Sequence, residues 1–454
     1  MSFSGATAGN WFARQGRDVY KRRGRETPMT QGPDNSAKMG TDSGAAQPRR
    51  CLSPIFADFQ GNFDNVARAL GLSAAAAEGF AAGWQASRTS FPPGGPAFLR
   101  PAFVADTCAA LGLSDEIAAA IAASLAMFDG SEPLQRLAWH CAQSLRADGY
   151  IEFRPAAMPW TTLLDDLPAW GEMFYPAVLL SAGPAMIELH RQRGIPAEIT
   201  RATAGDVELW MRHYRARHGR WGLAHAKWLA NHFLGRIYRL GRLQFRFERF
   251  EWAFRALRRR GGGRVVVVAE DGMGADGAAI LANPVSPAGQ VLPQRVELPS
   301  DEWQTVLKRG DAVLGVHIPE GGPMDFDACG RSFRRAMEFF ARHFPEFGFR
   351  AFQCESWLLD DQLGRLLPPE SNIRRFQDEM YLLPLAGADD SQMFDRVFGL
   401  RYDDIRQAPQ DTLLRRTIAN HILAAGQFRT AACILLPEDL NWGGKVYRTY
   451  TQPD

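Results

Sequence analysis

Two residues in this chain combine an ionisable side chain with an apolar setting. His317 closes the run Ala312-Val313-Leu314-Gly315-Val316, just before Pro319 and the pair Gly321-Gly322. An imidazole with an ordinary pKa of about 6.5 suits proton transfer at such a place. It equally suits a buried hydrogen bond between two strands. Glu355 sits inside Phe352-Gln353-Cys354-Glu355-Ser356-Trp357. A carboxyl stripped of water has a raised pKa and can act as a base; on a solvent-facing position it would be an ordinary surface charge. Period two sets Glu355 opposite Cys354 and Ser356, which share the other face. Cys354 reads as a buried, inert thiol. No nucleophile–base pair can be read from the spacing, so nothing points to a covalent intermediate. Arg255, Arg258, Arg259, Arg260 and Arg264 cluster beside Gly261-Gly262-Gly263, a run that usually marks a solvated turn.

The elements around these residues fall into two halves. From Phe56 to about residue 238 the pattern is helical, with Ala-rich stretches of high helix propensity. Thr203, with Asp206 three residues on, reads as a capping-box-like helix start, closed by Gly219. A second helix is expected over about Leu223–Tyr238. The period then changes. Leu243, Phe245 and Phe247 alternate with Arg242, Gln244, Arg246 and Glu248, the mark of a half-buried strand. Val265–Ala269 is a β-branched run. Further strands fit 278–281, 291–298, 312–318 and 349–359. A strong amphipathic helix spans Phe326–Phe344, and a broken helix covers 361–382. Helix 412–425 and strand 430–436 follow. We expect domains at 51–238 (helical), 239–390 (mixed sheet) and 391–454 (a helix–strand extension completing the sheet), after a disordered tail at 1–50. That tail is poor in large apolar groups and so cannot offset its ordering entropy.

Composition bounds the function. The 454 residues are 46% hydrophobic and 22% charged, with 43 Gly and 28 Pro, a globular profile. Lys+Arg 52 minus Asp+Glu 50 leaves +2, so no charge excess points to nucleic acid or an anionic membrane. No apolar stretch is long enough to span a bilayer. The six cysteines have no zinc-knuckle spacing and are too few for a disulfide scaffold. We expect reduced thiols in a cytoplasm and no metal.

The order of elements, with four motifs, resembles the GNAT (GCN5-related N-acetyltransferase) superfamily. More closely, it resembles a bacterial acyltransferase family with a helical N-terminal domain and a GNAT-like C-terminal domain. The motifs are Leu240-Gly241-Arg242-Leu243-Gln244-Phe245, Val316-His317-Ile318-Pro319-Glu320-Gly321-Gly322-Pro323, Cys354-Glu355-Ser356-Trp357-Leu358-Leu359-Asp360, and Ser371-Asn372-Ile373 with Phe376-Gln377. The resemblance implies an α/β (α+β) fold, with a mixed sheet flanked by helices. It implies an acyl-CoA lying between two splayed parallel strands, 312–318 and 349–358. Backbone groups at Val316, Ile318, Gly321 and Gly322 would hold the cofactor, with Asn372 contacting it. His317 or Glu355 would take the proton of an attacking small-molecule or peptide amine, and Tyr381 matches the general-acid position in placement. The phosphate loop departs from the superfamily's Arg/Gln-x-x-Gly-x-Gly/Ala. Pro323 removes a donor, and Asp325 and Asp327 add negative charge, although Asp325 also reads as a helix N-cap. The alternative expectation is therefore a non-catalytic GNAT-like binding or scaffold protein with a degenerate CoA site.

Overall fold

The computed structural model describes residues 62–158, 160, 167–387 and 389–449. The expected tail, 1–50, lies outside these residues. Among the described residues, eleven α-helices occupy Phe63–Phe233 and fourteen short strands begin at Ile237. The chain is thus helical first and mixed α/β after.

A six-stranded sheet organises the second half. Its strands are β1 (Ile237–Arg239), β2 (Gln244–Arg249), β3 (Ala312–His317), β4 (Ala351–Ser356), β5 (Tyr381–Leu383) and β6 (Ala431–Leu435). The order across the sheet is β1-β2-β3-β4-β6-β5. β3 and β4 are parallel; the other neighbours are antiparallel. The alternation of β2 decides what each face does. Phe245 and Phe247 point to helix α3 (Phe326–His343), where they meet Phe333 and Phe340 with ring centroids 5.7 and 5.4 Å apart. Each such ring taken out of water contributes about 1.5–3 kcal/mol. Gln244, Arg246 and Glu248 consequently point to the opposite face.

Residues 250–311, between β2 and β3, do not extend this sheet. The run Val265–Ala269 lies in a separate five-stranded antiparallel sheet, and 279–282 and 296–299 lie in a three-stranded one. The strand expected over 291–298 is two short strands, Gln290–Val291 and Val296–Pro299. These segments pair with one another, and an isolated bridge from Ala288 to Leu382 links them to the edge strand β5.

Three helix expectations are corrected. The broken helix expected over 361–382 is two helices, Asp361–Leu366 and Asn372–Asp378, and Tyr381–Leu383 is strand β5. α1 (Asp206–His218) does not start at a Thr203 cap. Thr203 lies inside the preceding helix, and its hydroxyl accepts the Arg239 N–H at 3.1 Å. Gly219 does close α1, with φ 70°. α2 runs only Ala226–Phe233; Ile237–Arg239 is strand β1, paired to β2.

The helical half packs directly on the sheet. Phe153 meets Phe247 edge-on and Phe347 at a tilt, each at 4.9 Å. Arg193 donates to the His343 carbonyl at 2.9 Å. Among the described residues, no helix is long and apolar enough to cross a membrane.

Candidate active site

The two parallel strands part company. β3 and β4 pair only at Val313↔Ala351, Leu314↔Phe352 and Gly315↔Gln353. Beyond that point β3 continues through Val316 and His317 alongside β2, whereas Cys354–Ser356 stay with β6. A wedge opens between them. By register, His317 and Glu355 both lie on the face that carries Gln244, Arg246 and Glu248.

Glu248 sits at the wedge. His317 Nε2 is 3.2 Å from its Oε1, Arg246 Nε donates to the same oxygen at 2.8 Å, and Gln353 Nε2 donates to Oε2 at 2.6 Å. Burial alone would push the Glu248 carboxyl up. The Arg246 charge and the bonds from His317 and Gln353 overcome it and hold the pKa at about 2. An ionised carboxylate only accepts, so His317 must carry its proton on Nε2. Burial and then Arg246 keep the His317 imidazole below its ordinary value, partly offset by Glu248. The imidazole is thus neutral at pH 7. Its ring meets the edge of Trp228 at 4.7 Å, and the Arg246 guanidinium lies 5.3 Å over the same indole.

Glu355 lies on the wedge face and is exposed to solvent. It is still enclosed enough that burial, with the nearby Glu248 charge, pushes it up to about 7. Cys354 faces the other way, directly across from Cys433, and its thiol is held well above the ordinary value by Cys433 and by burial. It is an inert group, as its setting suggested.

A second buried cluster backs the first. Asp206, 1% exposed, accepts from Trp210 Nε1 at 3.1 Å, Trp228 Nε1 at 3.2 Å and Gln244 Nε2 at 2.9 Å, with His232 Nε2 at 3.2 Å. Burial would raise its carboxyl, but the His232 charge and these donors hold it below the usual range. Asp206 is therefore the anchor of the Trp228 wall, not a capping residue.

The loop after β3 is organised by one side chain. Arg242, in the β1–β2 turn, donates to the carbonyls of Pro319 (2.7 Å), Gly322 (2.9 Å) and Pro323 (2.9 Å). Gly321 takes φ 95° and lies so close to Leu209 that an ideal Cβ would be 3.0 Å from Cδ1. Glu320 turns outward to Arg396 at 2.6 Å and His213 at 3.4 Å. Asp325 caps α3, accepting the Ala328 N–H at 2.6 Å.

The other expected site residues take the following places. Asn372 begins helix α4 (Asn372–Asp378), which packs on α3 through Phe376 and Phe333. Tyr381 is 2% exposed; its hydroxyl donates to the Val285 carbonyl and accepts the Val267 N–H at 3.3 Å. It ties the second sheet to the first, and its hydroxyl is engaged in these two backbone bonds. The arginine cluster is largely paired: Arg255 with Glu270, Arg258 with Asp439 and Arg259 with Glu302. A cavity of about 470 Å³ lies at Asp360–Gln362, Leu382–Leu385 and Ala425–Ala431, and contains none of His317, Glu248 or Glu355. Among the described residues, no His/Cys/Asp/Glu group is arranged to hold a metal.

Sequence reasoning missed Glu248, Arg246, Asp206, Trp228, Gln353 and Arg242. The alternation of β2 was the available signal for Arg246 and Glu248, but it does not say which strand lies beside it.

Comparison with known proteins now bears on this geometry. Residues 102–235 match the model of an N-acyltransferase N-terminal domain, and residues 237–435 that of a GNAT-like C-terminal domain. This chain carries the two domains of the GNAT-like acyltransferase family. The family architecture is also that of solved acyltransferases. One, in complex with decanoyl-CoA, is 25% identical with TM-score 0.60, over 83% of this chain and 100% of that one. Another, with decanoyl-CoA and teicoplanin, is 25% identical with TM-score 0.57, over 83% and 99%. Curated proteins give no match.

Proposed function

We propose that the protein is an N-acyltransferase in which an amine attacks the thioester of a bound acyl-CoA directly. The observation that carries this reading is the parting of β3 and β4, with His317 and Glu355 on one face at the open end. Past Gly315 the ladder to β4 has ended, so the backbone of Val316 and Ile318 on that side is open to a pantetheine chain. Arg242 draws loop carbonyls to itself, which favours amides of Gly321 and Gly322 turned toward a phosphate. Asn372 and the first turn of α4 stand as the further cofactor contact. His317 or Glu355 takes the amine proton, directly or through one water. The decanoyl-CoA and teicoplanin complexes of the solved relatives support a medium-chain acyl-CoA donor and a small-molecule or peptide amine acceptor.

One observation favours a second reading, a non-catalytic binding protein. The Asp325 carboxylate already takes the Ala328 N–H, so the first turn of α3 is capped by a negative group where a pyrophosphate would compete.

Thermal unfolding with acetyl-, octanoyl- and decanoyl-CoA, followed by CoA release with primary amines, separates the two. A ligand at 100 times its Kd adds about 2.7 kcal/mol of apparent stability. His317→Ala and Glu355→Ala should each lower turnover about 10²–10⁴-fold without changing the melt in free protein by more than a few degrees. Acyl-CoA binding with no CoA release from any amine would favour the second reading.

A further inference from the structure

We propose that Glu248 is a positioning residue that divides the two proton transfers of the reaction, setting His317 to take the proton from the amine and Glu355 to deliver one to the departing thiolate. This rests on the acyl-transfer reading and goes beyond it, because the wedge geometry by itself leaves His317 and Glu355 interchangeable.

The division starts from one carboxylate with both oxygens committed. Oε1 faces His317 Nε2 and Arg246; Oε2 takes the Gln353 amide. Gly315 leaves the room for it, since a side chain there would collide with the carboxylate. His317 is therefore held as the Nε2–H tautomer, and its lone pair is on Nδ1. Among the described residues that nitrogen has no protein partner, and the side chain keeps 25% exposure. Trp228, fixed by its own bond to Asp206, closes the ring's other side. An oriented neutral imidazole with an accessible lone pair is a base.

Glu355 receives the opposite treatment from the same carboxylate. It lies two residues past Gln353 on the same face, and no hydrogen bond is among the causes that set its pKa. The charged groups facing the wedge are Arg246 and Glu248 from β2 and His317 from β3, with His232 and Asp206 behind from the helical half. Burial, and after it the like charge of Glu248, which is itself paired to Arg246, both act on Glu355. These raise it to about 7, so the carboxyl can hold a proton to deliver in the neutral range. Two ionisable groups whose surroundings push them to different protonation states take different roles.

The step balances. The amine nitrogen forms a bond to the thioester carbon as the C–S bond breaks. The nitrogen's proton goes to His317 Nδ1, and the Glu355 proton goes to the sulfur. The products are the amide and free CoA thiol, with imidazolium and carboxylate left behind. One proton passing from His317 to Glu355 through solvent restores the starting state.

The test is NMR of the full-length protein, with ¹⁵N-labelled histidine and ¹³C-labelled glutamate, in wild type and Glu248→Gln. Wild type should show His317 as the Nε2–H tautomer and Glu355 titrating near pH 7. In Glu248→Gln the Glu355 midpoint should fall by about 1 pH unit, and the tautomer preference should weaken. Glu248→Asp, which retracts the carboxylate from His317 but keeps the charge, should weaken the tautomer while lowering Glu355 less; it also serves if Glu248→Gln does not fold. A wild-type Glu355 titrating near 4.5, a Glu355 midpoint indifferent to Glu248→Gln, or an Nδ1–H tautomer would each overturn the assignment. If both signatures are present but no acyl-CoA shifts the melt, the functional reading fails and the roles fall with it. If acyl-CoA binds and the signatures are absent, the division of roles alone is wrong.

Discussion

The carboxylate of Glu248 stands in the space that a side chain on residue 315 would fill. An ideal Cβ built on Gly315 falls against the Glu248 carboxyl oxygens. Gly315 is also the last residue of β3 paired to β4. The glycine therefore leaves the space in which Glu248 stands at the parting.

Gly315→Ala follows from this. The methyl must displace the carboxylate or distort β3, and overpacking of this kind costs about 1–3 kcal/mol. The variant should melt below wild type and lose acyl-transfer turnover. Gly263→Ala, where a Cβ meets nothing within 4 Å, should melt like wild type. Equal melts for the two variants would refute the clash.

Glu355 gives a pH signature. Its folded-state pKa lies near 7 against an ordinary 4.5, raised by burial and by Glu248. The folded chain thus holds a proton that the unfolded chain gives up. That preference favours the fold fully below about pH 4.5 and is lost as pH rises through 7. Glu355→Gln cannot lose the proton. It should melt higher than wild type at pH 8 and level with it at pH 4, measured by differential scanning calorimetry.

Arg242 should act on the donor's affinity. It donates to three loop carbonyls and reaches no reacting atom. Arg242→Met should raise KM for octanoyl-CoA about tenfold, equivalent to ~1.4 kcal/mol, and change kcat less. A fall in kcat with KM untouched would show that the loop does not serve the cofactor.

His190 should make the helical half acid-labile. It is 1% exposed, with Nδ1 2.8 Å from the Thr200 hydroxyl and Nε2 buried without a partner. Burial pushes its pKa down to about 4. Below about pH 6.5 the unfolded chain binds a proton that the folded chain refuses, so stability is full above 6.5 and falls toward pH 4. Urea titrations across that range should show a shallower loss for His190→Gln. The slope should not vanish, because His225 is held down to about 3 by burial and by Arg396 and His213.

Several parts of this structure were legible in the residues. The alternation at 243–248 and the apolar stripe at 326–344 yield β2 and α3 almost to the residue. Asp325 reads as an N-cap from its place before an apolar run, and it is one. These are local patterns, set by backbone period and by end groups a few residues apart. The strands Phe254–Arg259 and Trp303–Leu307 escaped notice. They are rich in charge or short, and Arg255, Arg258 and Arg259 find their acids at 270, 439 and 302.

What the chain's own order determined is the period of each long element, the switch from helix to sheet near residue 238, and the placing of His317 and Glu355 at strand ends. What only the tertiary structure decided is who stands beside them. Asp206 shows why. Locally it resembles a capping residue, yet its partners Trp228, His232 and Gln244 lie on α2 and β2. Glu248 looks like one more charge on an alternating strand until β3 lies beside β2 and Gly315 leaves a gap. Hydrogen bonds and Coulomb terms act over a few ångströms in space, and distance along the sequence does not record them.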